Sequence, residues 1–188
     1  MEEPGSLPPG HVSGGGVGDR LAVFLGTGFG LGWSSYAPGT VGTLPGFLWL
    51  WILLLPGSLT LYFLGILAGT LAAVWIGHRA EKALNLEDPG CVVIDEIIAI
   101  PIAFSAWVVW LWLPSRLLPT FSELFQGPHA LFAFGLWAAF RFFDILKPWP
   151  VFQVQRFGGG WGLVFDDVLA AGYVCLLTPV ALKLLGWG

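Results

Sequence analysis

Charge is scarce in this chain: Asp, Glu, Lys and Arg make up 11% of its 188 residues, against 56% hydrophobic. A soluble globule of that length needs more charge to cover its surface, so the composition excludes an ordinary water-soluble domain and indicates one integral membrane domain. Cations are the scarcer sign, eight Lys and Arg against twelve Asp and Glu, for a formal net charge of −4. They are scattered instead of gathered into a basic stripe, which argues against a nucleic-acid partner. Only two cysteines occur. Cys91 and Cys175 fit neither a zinc spacing nor a disulfide framework and read as buried apolar thiols.

A secretory leader is missing too. The opening residues MEEPGSLPPGHVSGGGVGD have no positively charged start and no apolar core, so residues 1–20 read as a disordered Gly/Pro-rich tail and 21–188 as a single membrane-embedded domain. Five apolar stretches follow, near 44–55, 59–78, 91–113, 129–143 and 159–185. They lack the two-residue alternation of barrel strands, which predicts an all-α, polytopic membrane bundle of four to five membrane helices. The first and fourth fall short of the roughly 20 residues a perpendicular span needs, so five is an upper bound.

Against this apolar background, six acids stand in or beside the greasy runs: Asp88, Asp95, Glu96, Asp144, Asp166 and Asp167. A carboxylate at membrane depth costs roughly 2.5–3.5 kcal/mol on insertion scales, so each needs a cation or a metal nearby. If the runs cross in alternation, Arg20, Arg79, Lys82, Lys147 and Arg156 fall on one side, and the loops of the other offer only Arg116. The positive-inside rule makes the richer side cytoplasmic. All six acids reach that same side. Carboxylates converging from separate helices repel one another unless a hard divalent cation intervenes, and Mg²⁺ suits an all-oxygen set with room for a phosphate. The alternative is that the acids close helix-end ion pairs with Arg79, Lys82, Arg141 and Lys147, but they outnumber those partners.

The cations carry their own pattern. Arg141 and Asp144 are three apart and can meet on one helix face. Lys147 precedes Pro148, where a helix should stop, so it either satisfies terminal carbonyls or offers a point charge to phosphate. The segment GTGFGLGWSSYAPGTVGT fits neither G-x-G-x-x-G nor the G-K-[ST] ending of a P-loop. Even so, Pro38, Gly39, Thr40 and Gly42 before an apolar helix can aim backbone N–H groups at an anion. No Cys is followed six residues later by Arg, and neither D-x-D nor Ser-Gly-His occurs, so three covalent phosphatase patterns are absent. What remains is metal-assisted attack of water on phosphorus.

The ordered blocks GFGLGWSSYAPGTVGT, DPGCVVIDEIIAIP, FRFFDILKPWPV and GGGWGLVFDDVLAAG together resemble the phosphatidylglycerophosphatase A family from about Phe24 to the last helix. The resemblance implies an all-helical, Mg²⁺-dependent enzyme that converts phosphatidylglycerophosphate to phosphatidylglycerol in bacterial membranes. It implicates Pro38, Gly39 and Thr40, Asp95 with Glu96, then Arg141, Asp144, Lys147 and Pro148, and finally Gly162, Asp166 and Asp167. Ala99 stands where the family usually has Gly, and Trp161 and Phe165 where smaller residues are usual, which bears on packing more than on chemistry.

The resulting expectation is a multi-pass phosphoric monoester hydrolase of the bacterial inner membrane, acting in phospholipid biosynthesis with its site facing the cytoplasm. Asp95, Glu96, Asp166 and Asp167 are expected to hold Mg²⁺, Asp144 to complete that shell or orient water, and Gly39, Thr40, Arg141 and Lys147 to bind the phosphate of a glycerophospholipid. Protein partners are not specified by the sequence. Two rivals from other classes are a small ion-coupled transporter, which should place its acids near mid-bilayer and often shows a repeat, and a non-catalytic membrane subunit.

Overall fold

The computed structural model describes residues 16–154 and 157–187, so most of the N-terminal tail and Arg156 lie outside the described residues. Among the described residues the regular structure is helical throughout. The long apolar runs become α2 (Pro38–Leu54), α3 (Leu59–Leu84), α4 (Ile94–Ser115), α6 (Pro128–Leu146) and α8 (Gly160–Leu184), with shorter α1 (Val17–Gly26), α5 (Phe121–Leu124) and α7 (Val151–Val154) between them. α3, α4, α6 and α8 are long and apolar enough to cross a bilayer. At 17 residues α2 spans about 25 Å, short of a hydrocarbon core about 30 Å thick. The protein is a polytopic membrane bundle.

The tail ends earlier than the sequence suggests, because Val17–Arg20 already belong to α1. One carboxylate oxygen of Asp19 accepts the Gly16 N–H at 3.1 Å and the other accepts Arg79 Nε at 2.8 Å, so this short helix is fixed by docking on α3 and not by an apolar run of its own. Asp88 lies outside α4, which starts at Ile94, and sits in the preceding loop with φ +47°.

Helix α4 is the axis of the bundle. It packs chiefly on α8 and α2, then on α3 and α6, and Ile100, Phe104, Trp107 and Val108 along it are fully buried. Lipid tails are as apolar as Leu, so helices in a bilayer associate through close packing and interhelical hydrogen bonds. Both are present. A Cβ on Gly42 or Gly46 would run into Val93 or Ile100, and one on Gly160 into the Val74 carbonyl, so α2 meets α4, and α8 meets α3, at backbone distance. Pro101 interrupts the ladder of α4, and its carbonyl accepts Tyr62 Oη from α3 at 2.6 Å and Ser105 Oγ at 2.8 Å. Trp137 Nε1 on α6 donates to Thr43 Oγ1 on α2 at 2.9 Å, and Thr43 Oγ1 donates to the Thr40 carbonyl at 2.7 Å.

Since the long helices alternate in direction, the C-terminal ends of α3 and α6 and the N-terminal ends of α2, α4 and α8 gather at one end of the bundle. Each terminus has a local reason. Pro38 occupies the first turn of α2, where its missing N–H costs nothing. Asn85 closes α3 and Lys147 closes α6, both in the left-handed region at φ 54° and 43°.

Candidate active site

Four long elements deliver polar groups to that common end. From the first turn of α4 come Asp95 and Glu96, from the last two turns of α6 Arg141 and Asp144, from the second turn of α8 Asp166 and Asp167, and from the start of α2 the backbone at Gly39. Asp95, Glu96 and Asp167 each offer a carboxylate oxygen, and these oxygens lie within 4.8 Å of one another. Asp95 Oδ1, Glu96 Oε2 and Asp167 Oδ2 are all buried without a hydrogen-bond partner among the described residues.

That arrangement cannot stand as three free charges. At an effective dielectric near 20, each ionised pair at this spacing repels by roughly 3–4 kcal/mol, and an unpartnered buried polar atom adds its own desolvation cost. An all-oxygen donor set with unused lone pairs fits a hard divalent cation, and the absence of nearby His or Cys ligands among the described residues disfavours zinc.

Cationic charge flanks the triad on one side. Arg141 Nη1 lies 2.5 Å from Asp144 Oδ2 and 3.6 Å from Glu96 Oε1, with all three side chains at most 15% exposed. Arg141 Nε and Nη1 are buried and have no hydrogen-bond partner among the described residues. Arg141 thus stands between Asp144 on its own helix and Glu96 of the triad. Gly39 borders the same space: a Cβ there would collide with Glu96 Oε1 and sit 2.8 Å from an Arg141 nitrogen. Thr40 follows in the same helical turn, its carbonyl tied through Thr43 to Trp137.

Two of the expected site residues are arranged differently. Asp166 is not part of the close triad; its Oδ2 accepts Lys147 Nζ at 2.8 Å and its Oδ1 accepts the Asp167 N–H at 3.0 Å. Adjacent residues on a helix diverge by about 100°, so Asp167 turns to the bundle axis while Asp166 turns to the end of α6. Lys147, expected at phosphate, is thereby engaged by a carboxylate. Burial pulls its ammonium down, but the bond to Asp166 and the charges of Asp166, Asp88 and Asp144 outweigh that and hold its pKa above the usual lysine value. Pro148 follows Lys147 outside α6, and Gly162 is buried in the first turn of α8.

Sequence reasoning passed over Trp137 and Tyr173. On an apolar helix each reads as core or interface, and neither carries a signal that its polar atom reaches another element.

Comparison with known proteins agrees with the geometry. A family model described as phosphatidylglycerophosphatase A matches residues 24–182. A Bacteroides thetaiotaomicron protein with the provisional name phosphatidylinositol-3-phosphatase is 35% identical over 170 residues, covering 88% of this chain and 96% of its own length. Proteins named phosphatidylglycerophosphatase A from Escherichia coli and Haemophilus influenzae are 32% and 31% identical, covering 78% and 82% of this chain and 74% and 84% of their own. No solved structure matches this chain.

Proposed function

The chain belongs to the phosphatidylglycerophosphatase A family, and from that premise we propose that it is a Mg²⁺-dependent lipid phosphatase converting phosphatidylglycerophosphate to phosphatidylglycerol and inorganic phosphate. The observation that carries the reading is the buried triad of Asp95, Glu96 and Asp167, with unpartnered oxygens, beside an arginine whose Nε is also unpartnered. Acids gathered at one end of the bundle, not at mid-bilayer, favour chemistry on a headgroup over transport.

In this reading Asp95, Glu96 and Asp167 hold Mg²⁺, which when bound supplies charge neutralisation and polarises the reacting oxygens. Arg141 receives the terminal phosphate through its free Nε edge, while Asp144 and Glu96 lie against its Nη1 and balance its charge. The absent side chain at Gly39 leaves the α2 backbone open to the same phosphate, with the helix N-terminus favouring its negative charge. Asp144, paired with Arg141 beside the triad, orients the attacking water. Water oxygen bonds to phosphorus, the phosphorus–glycerol oxygen bond breaks, and the departing oxygen leaves with a proton. The retained lipid is phosphatidylglycerol, which places the reaction in phospholipid biosynthesis. The excess of cations in the loops at this end supports an orientation in which it faces the cytoplasm across a bacterial inner membrane.

The provisional name of the Bacteroides relative points to a different headgroup with the same bond class, a phosphomonoester on a glycerophospholipid. The deciding assay is release of inorganic phosphate by purified protein from phosphatidylglycerophosphate, phosphatidylinositol 3-phosphate and phosphatidic acid, with Mg²⁺ or with EDTA. Fastest release from phosphatidylglycerophosphate, abolished by EDTA, is expected. Faster release from the inositol lipid would reassign the substrate, and release unaffected by EDTA would remove the metal.

A further inference from the structure

The connection between α6 and α8 is tied down at two points by residues on one face of α8. Asp166 accepts Lys147 Nζ at 2.8 Å, and Tyr173 Oη donates to the Trp149 carbonyl at 2.7 Å. Asp166 and Tyr173 are seven residues apart, two helical turns, and so present their polar atoms along the same stripe. The tyrosine ring is itself fixed, stacked on Phe143 of α6 with centroids 5.3 Å apart and planes 28° apart. Val151, first residue of α7 in the tied segment, is completely buried.

This tie has consequences because of where α6 ends. Arg141 and Asp144 stand within the last two turns before Lys147, and Asp167 is the direct neighbour of Asp166. The bonds that hold the connection against α8 therefore hold the arginine end of the site against its carboxylate end. α6 packs more extensively on α8 than on α4, so its placement rests chiefly on α8. Neither Asp166 nor Lys147 is needed for the triad, and Lys147 has its charge already answered by a buried carboxylate.

We propose that Tyr173 and the Asp166–Lys147 pair are positioning residues, a two-point latch that sets Arg141 and Asp144 at their working distance from Asp167. The latch rests on the phosphatase reading of the site but assigns Asp166 a role other than metal ligation. Reacting groups displaced by as little as an ångström lose rate steeply, whereas the loss of one uncharged hydrogen bond is modest.

The test compares Tyr173→Phe, Lys147→Met, Asp166→Asn and the double variant Lys147→Met/Asp166→Asn with the wild type. Hydrogen exchange across residues 147–154, followed in metal-free protein, should quicken in every variant. With phosphatidylglycerophosphate, Tyr173→Phe should lower kcat on the order of three- to tenfold, with KM and the Mg²⁺ concentration for half-activity within about twofold of wild type. A role in stability alone would leave kcat untouched in the folded enzyme. The double variant should be no slower than the worse single variant, and Lys147→Arg should restore most of the rate. Unchanged exchange or unchanged kcat in Tyr173→Phe overturns the latch. So does an Asp166→Asn enzyme that loses all Mg²⁺-dependent turnover while Lys147→Met retains most of it, because Asp166 would then be a ligand. A wild-type protein inactive on every lipid phosphate would count against the phosphatase reading instead, and the exchange data would still decide the latch.

Discussion

At the scale of single residues, the proposed function rests on buried carboxylates that repel one another unless a proton or a cation comes between them. Asp167 is 2% exposed and has an unpartnered oxygen. Asp167→Asn keeps the shape and removes the charge. It should cut Mg²⁺-dependent phosphate release by about a thousandfold or more, on the pattern of a lost electrostatic group at a reacting centre, while the protein elutes from a size-exclusion column in detergent as the wild type does. Near-normal release would refute the ligand role. Arg141→Lys keeps the charge but loses the planar fork and the Nε donor; KM for the lipid should rise about tenfold, measured in mixed micelles. Gly39→Ala places a methyl against Glu96 and Arg141, and the expected result is a large loss of turnover with an unchanged unfolding temperature. The sequence made most of these residues legible, since an acid or arginine in an apolar run needs a reason to be there. It could not separate Asp166 from Asp167. The two are adjacent and chemically identical, and only the angular step along α8 sends one to Lys147 and the other to the triad.

Among the elements, stability comes from helices approaching closely at glycine and from a few buried hydrogen bonds between them. Gly160 touches the backbone of α3 so nearly that a Cβ would meet the Val74 carbonyl. Gly160→Ala should therefore force α8 away from α3 and destabilise the bundle by about 1–3 kcal/mol, read as a lower unfolding temperature in detergent. Tyr62→Phe, which removes the bond to the Pro101 carbonyl, should cost about 1 kcal/mol and leave turnover nearly unchanged. The apolar runs announced α2, α3, α4, α6 and α8. Their boundaries were less visible: α2 begins at Pro38, six residues before its apolar run, because proline and glycine in a first turn are helix-compatible even though they read as loop. α1 was invisible for a different reason, as its stability derives from Asp19 and Arg79, sixty residues apart.

For the whole molecule, alternation of the long helices turns a scattered set of sequence positions into one polar end. Residues from four segments between Gly39 and Asp167 become neighbours because α2, α4 and α8 start where α3 and α6 finish. The same antiparallel order predicts a sidedness that can be measured. A cysteine placed at Glu87, in the loop between α3 and α4, in a cysteine-free background should react with a membrane-impermeant maleimide only when the inner face is exposed, and one at Leu117 only from the outside. The opposite pattern would invert the membrane orientation.

The central claim is that these buried carboxylates exist to bind a divalent cation. Its most direct measurement is binding of Mn²⁺, a spectroscopic stand-in for Mg²⁺, to purified wild type and to Asp95→Asn and Asp167→Asn, followed by electron paramagnetic resonance in detergent. Saturable binding that Mg²⁺ displaces, and that both substitutions abolish in folded protein, is the predicted result; equal binding by all three proteins, or none by the wild type, would contradict it.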